Sequence, residues 1–127
     1  RGELEIMKNV LFVCAMEKEG KQIAEKLKMY ESADNLFETE DKSEKLLIAS
    51  VGKQLTAMNL TKYLCNNSKP DLIINIGYAG STDIKIGKWI NISRTYNYEW
   101  KIPGEEKYVM SFGGSQELEL LRNWRRK

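Results

Sequence analysis

The sequence contains no histidine. That removes an imidazole general base, a His-containing catalytic triad and the commonest nitrogen ligand of zinc. Its two cysteines, Cys14 and Cys65, form neither a CxxC pair nor a disulfide framework. They read as reduced, buried thiols of a cytoplasmic protein, and without a histidine to activate it neither is a natural nucleophile. Two prolines and nine glycines exclude collagen-like and low-complexity classes. No apolar run approaches the ~20 residues of a membrane-spanning helix, and no signal peptide opens the chain. Twenty Lys and Arg against 18 Asp and Glu leave a net charge of +2, which does not point to nucleic acid. The expected partners therefore include no nucleic acid and no membrane, and no metal or cofactor is called for.

What is present is one domain's length of chain, 127 residues. Residues 1–6 (RGELEI) alternate in charge and read as a leader or tag remnant, and 98–127 as a divergent tail. Val10–Val13 is a short continuous apolar run, the pattern of a strand buried on both faces. A charged helix over Glu17–Lys28 follows, with Ile23, Ala24, Leu27 and Tyr30 on its apolar stripe. Asn35–Thr39 and Lys45–Ser50 predict a hairpin across the polar turn Glu40–Glu44. Leu55–Cys65 has helical spacing and stops at Pro70. Asp71–Ile76 is a second apolar strand and Trp89–Ser93 a further one. Lys107–Phe112 suggests a short strand, and Gln116–Lys127 a terminal helix with Leu118, Leu121 and Trp124 on one face. The order β-α-β-β-α-β-β predicts an α/β fold, a mixed and mainly parallel sheet flanked by helices.

Ligand sites in such sheets lie beyond the C-terminal ends of the strands. Three segments fall there: Cys14–Glu19, Ser50–Lys53 and Gly77–Thr82. In the first, small residues let a ligand approach the backbone, and an acid in the first helical turn can face it. The plainer reading is that Glu17 and Glu19 serve the helix dipole. In the second, Gly52 permits a positive φ, which an ordinary strand-to-helix turn also uses. The P-loop spacing is absent. In the third, Gly77-Tyr78-Ala79-Gly80 exposes N–H groups able to hold a sugar hydroxyl, an anion or a base edge. Tight packing of strand on loop explains the same glycines.

The combination is more specific than its parts. AMEKE at 15–19, VGK at 51–53, and KPDLIINIGYAG at 69–80 followed by IGKWINIS at 86–93 resemble the nucleoside phosphorylase superfamily, most of all its methylthioadenosine/adenosylhomocysteine nucleosidase branch. The resemblance spans about Met7 to Asn97, the N-terminal half of the family pattern. The chain is thus expected to be either part of a longer enzyme or a short divergent relative. It implies a nucleoside phosphorylase-like, truncated fold and cleavage of a purine nucleoside's N-glycosidic bond through an oxocarbenium-like sugar, with water as the nucleophile. By the same resemblance Glu19 is the carboxylate that activates the water. Ala15, Tyr78, Ala79 and Gly80 lie beside ribose and base, and Val51 meets the 5′ substituent. The partner implied is a small-molecule nucleoside, in a cytoplasmic homodimer. Asn75 and Tyr78 occupy the positions at which purine phosphorylases carry the Arg and Ser of their phosphate site, which favours water over phosphate. Two other readings are a catalytically inactive nucleoside-binding or interaction module of the same superfamily, and a receiver-like or flavodoxin-like signalling domain. Against the last, Asn75 stands where a receiver needs its phosphate-accepting Asp.

Overall fold

The computed structural model describes residues 9–92, 94–96 and 109–111. The chain divides into two compact units, Met7–Gly80 and a second formed by Arg1–Ile6 with Ser81–Lys127. In the first unit β1 (Val10–Cys14) leads into α1 (Glu17–Lys26). Then follow β2 (Tyr30–Ala33), β3 (Leu36–Glu38) and β4 (Glu44–Ile48), then α2 (Lys53–Asn66) and β5 (Leu72–Asn75). The five strands form one sheet in the order β2-β3-β4-β1-β5. β1 runs parallel to both β4 and β5, whereas β2/β3 and β3/β4 are antiparallel. The described residues form a small α/β fold with a mixed sheet and two helices. The expected mainly parallel character holds only for β4, β1 and β5 at one side of the sheet.

β1 is buried along its whole length because both of its faces are covered. Register and alternation put Leu11 and Val13 on the same face as Leu47 and Ala49, where Leu60 and Tyr63 of α2 pack on them. Phe12 and Cys14 face the other way with Leu46 and Ile48, toward Ala24 and Gly20 of α1. A methyl group at Gly20 would meet Ile48 at 2.8 Å, so this glycine sets how closely α1 approaches β4.

The first helix ends sooner than its apolar spacing predicts. The Met29 N–H donates to the Ala24 carbonyl (2.8 Å) and the Lys28 N–H to that of Glu25 (3.3 Å). With Lys28 at φ +56° this is a Schellman termination with lysine at the left-handed position where glycine is usual. Tyr30 therefore begins a strand instead of continuing the helical stripe. β2 turns into β3 at Asp34-Asn35, with Asn35 at φ +59°. The predicted hairpin is present as β3 and β4. Their turn is held by Asp41, whose Oδ1 accepts from Thr39 Oγ1 (2.7 Å), Ser43 Oγ (2.8 Å) and the Ser43 N–H (3.1 Å). These bonds hold the exposed Asp41 carboxyl below its ordinary value.

Three further expectations are corrected. β5 is not buried on both faces: it stands at the sheet's edge among the described residues, and Ile73 is 42 % exposed. α2 covers β1 and β4 at Leu60 and Tyr63, while Ile73 lies beyond it, next to Leu11 in register. Trp89–Ser93 was expected as a strand, but residues 89–92 form no strand and lie exposed. Alternating apolar residues make a strand only where an edge offers hydrogen-bond partners. Cys65 is exposed, on the outer side of α2.

In the second unit β6 (Arg94–Tyr96) pairs antiparallel with β7 (Val109–Ser111), the latter within the strand predicted over Lys107–Phe112. The calls of a leader or tag remnant at 1–6, of most of the divergent tail at 98–127 and of a helix at 116–127 fall outside the described residues. Among the described residues no helix is long and apolar enough to cross a membrane.

Candidate functional site

Because β4, β1 and β5 are parallel neighbours, their C-terminal ends lie along one rim. The three segments singled out in the sequence meet there. The backbone ladder continues past the strands: the Ala49 N–H donates to the Cys14 carbonyl (2.8 Å) and the Ile76 N–H to that of Val13 (2.9 Å).

Glu19 is the residue that joins two of the segments. It sits in the first turn of α1, three residues after the N-cap Met16, and is buried at 4 % exposure. Its Oε1 accepts from the Met16 N–H (3.0 Å), half of a capping box that satisfies a donor left unpaired at the helix start. Its Oε2 accepts from the Tyr78 N–H at 2.7 Å, across 59 residues of sequence. Along β5, Leu72 and Ile76 donate inward to carbonyls of Asn9 and Val13. Tyr78 is the next inward-facing donor after Ile76, and there the Glu19 carboxylate replaces the main-chain acceptor that β1 no longer supplies. Gly77 makes this possible. A Cβ at that position would lie 2.8 Å from Glu19 Oε2, so only glycine lets the chain pass so close to the carboxylate.

The second segment is rigid for different reasons. Ser50 and Gly52 have φ of +79° and +99°. Thr56 Oγ1 donates to the Ser50 carbonyl (3.1 Å) and Asn59 Nδ2 to that of Ala49 (2.7 Å), so the first turns of α2 hold the end of β4 in place. Neither Thr56 nor Asn59 belongs to a rim motif. A polar residue on a helix's sheet-facing side was the only sequence signal for them.

The remaining candidates take these positions. Ala15 is half-buried directly after β1. Val51 is 63 % and Tyr78 62 % exposed, and Ala79 and Gly80 are also exposed. Glu19 and the Gly77–Tyr78 backbone are thus in direct contact, while Val51 stands out from the rim into solvent. The Tyr78 ring does not fill the rim, since most of it faces water.

Cys14 lies under the same turn, with Sγ 3.7 Å from the Met16 carbonyl. Burial, and then the negative charge of Glu19, push its thiol from 9.0 up to about 11. It is therefore protonated at neutral pH and is no nucleophile. Glu17, two residues before Glu19, faces outward and pairs with Lys21 at 2.7 Å, which lowers its carboxyl. Among the described residues no group of three or more Cys, Asp and Glu could hold a metal ion. A shallow hollow of about 30 Å³ lined by Asn9, Lys45, Tyr63 and Ser68 lies at the opposite, N-terminal ends of the parallel strands and is no part of the rim.

Chemically the rim offers one buried carboxylate beside exposed main chain and small side chains. Two of the carboxylate's lone pairs hold N–H groups, and the other two remain for a further donor such as water. Comparison with protein-family models, with curated proteins and with solved structures finds no match for this chain.

Proposed function

We propose that the rim binds a purine nucleoside and that Glu19 activates water to cleave its N-glycosidic bond, the nucleosidase reaction of the nucleoside phosphorylase superfamily, in this chain alone or with it as the N-terminal part of such an enzyme. The sugar lies over Ala15 and the Tyr78–Gly80 segment, with its 5′ substituent toward Val51. The bond from the sugar to the base breaks as positive charge builds on the ring, water adds to the anomeric carbon, and Glu19 takes the proton that water gives up. The observation that carries this reading is the 2.7 Å contact of Glu19 Oε2 with the Tyr78 N–H. It joins the acid of the first motif to the small-residue bend of the third, the pairing that the resemblance requires. The setting is an α/β rim, where a cytoplasmic enzyme of this class would hold its substrate.

A second reading is a module of the same superfamily that binds nucleosides without cleaving them. It is favoured by a specific observation. Both oxygens of Glu19 already hold main-chain N–H groups, and the one other acid of the three rim segments, Glu17, faces outward and pairs with Lys21 instead of standing ready to protonate the departing base. The test is release of adenine from methylthioadenosine. The first reading expects release that falls at least about 100-fold in Glu19→Gln, the loss typical of a missing general base. Release unchanged by Glu19→Gln removes Glu19 as the base. Binding by calorimetry without release supports the second reading.

A further inference from the structure

Among the described residues four other than glycine have a positive φ. Lys28, Asn35 and Lys42 lie at +56°, +59° and +62°, inside the left-handed well, and each ends a helix or makes a tight turn. Ser50 is different. At +79° it lies farthest from that well, at the end of a strand, two residues before a glycine with φ +99°. The chain thus uses glycine at 52, where nothing lies within 4 Å of an added Cβ, and a side chain at 50. A residue in such a conformation is strained by about 1–2 kcal/mol and persists only where its surroundings fix it. Here they do: the Ser50 carbonyl is held by Thr56 Oγ1 and the preceding carbonyl by Asn59 Nδ2, while the Ala49 N–H is held by the Cys14 carbonyl.

Ser50 is half-buried, and its Oγ makes no hydrogen bond among the described residues. Ser, Thr, Asn and Asp commonly enter such conformations by bonding their own backbone, and this serine does not. Its strain therefore gains nothing locally, and it sits on the rim formed by the ends of β4, β1 and β5.

We propose that Ser50 is a ligand-contacting, specificity-determining residue of this rim, whose hydroxyl hydrogen-bonds a ribose hydroxyl of the bound nucleoside. The inference rests on the nucleoside reading above. It adds a residue of the Ser50–Lys53 segment that meets the sugar, where only Val51 was assigned, and it gives the rim a means of telling ribose from a sugar without hydroxyls. A site that bonds a hydroxyl discriminates strongly against a ligand lacking it, because its own polar group is then left unpaired.

The test is calorimetric titration of the full chain with adenosine and with 2′,3′-dideoxyadenosine, for the wild type, Ser50→Gly and Ser50→Ala. The expected result is wild-type preference for adenosine of about tenfold, one hydrogen bond's worth, which vanishes in both variants while dideoxyadenosine affinity stays constant. Ser50→Gly, which relieves the strain, is also expected to unfold at the same or a higher urea concentration, so that lost binding is not lost folding. If Ser50→Ala does not fold, Ser50→Gly alone decides. A wild type that prefers adenosine by an amount Ser50→Gly leaves unchanged overturns the role of Ser50 and leaves the nucleoside reading standing. A wild type that binds neither ligand overturns both.

Discussion

Gly77→Ala is the perturbation that most sharply isolates the contact between Glu19 and the segment after β5. The added methyl group would sit 2.8 Å from Glu19 Oε2, closer than real contacts of this type. A carboxylate at the end of a side chain would ordinarily swing aside at little cost. Glu19 is not free to do so, being buried and bonded to the N–H groups of both Met16 and Tyr78. Moving it sacrifices at least one charge-assisted hydrogen bond, worth about 1.5–3 kcal/mol. Against that, replacing a glycine whose φ is not positive stabilises by about 0.4–1 kcal/mol through the unfolded chain. Gly77→Ala is therefore expected to cost about 1–2 kcal/mol in the wild type. In a Glu19→Ala background the obstacle is gone, and the same change is expected to be neutral or slightly stabilising. Urea unfolding of the four proteins gives the coupling, provided the m-values agree. Equal effects of Gly77→Ala in the two backgrounds would refute the reasoning, because the glycine would then serve something other than the carboxylate.

Other outcomes follow from the same structure. Lys28→Gly removes a left-handed lysine from the end of α1 and is expected to stabilise by about 0.5–1 kcal/mol in thermal or urea unfolding; destabilisation would contradict the Schellman assignment. Cys14 holds its proton more tightly folded than unfolded, so its contribution to stability is complete below pH 9.0 and is lost as pH rises through about 11. At about 1.4 kcal/mol per pKa unit, the stability of wild type relative to Cys14→Ala should fall by up to about 3 kcal/mol across that interval, and a constant difference would contradict the burial of the thiol. Asp41 has the opposite sign: its bonds to Thr39 and Ser43 lower its pKa, so the advantage of wild type over Asp41→Ala should be present above pH ~4 and shrink on further acidification. An advantage that grows in acid would contradict it.

Much of the first unit was legible in the sequence for reasons that can be named. VLFV is apolar at every position because β1 is covered on both faces, and the hairpin of β3 and β4 shows in its polar turn. The rim segments were legible because strands in an α/β order deliver their C-terminal ends to one side. What escaped depended on residues that break local rules. Lysine in a glycine's place hid the end of α1 and with it β2. DLIINI looks as apolar as VLFV, yet β5 stands at an edge, since apolar composition does not say how many faces are covered. WINIS carries strand residues, but pairing partners are not written in a segment's own composition. At the site, Glu19 was visible as an acid at the right spacing. That its carboxylate caps α1 and also extends the β5 ladder required knowing that Gly77 passes within reach. The positive φ of Ser50 has no signature in the sequence at all.

The function proposed above puts a nucleoside on this rim beside Glu19. Amide ¹⁵N–¹H spectra recorded during titration with methylthioadenosine test it most directly. Saturating shifts are expected at Ala15, Glu19, Ser50 and Tyr78–Gly80, with Asn9, Lys45 and Ser68 at the far ends of the strands unmoved. Shifts absent from those rim residues at saturation, or no saturable change anywhere, would contradict it.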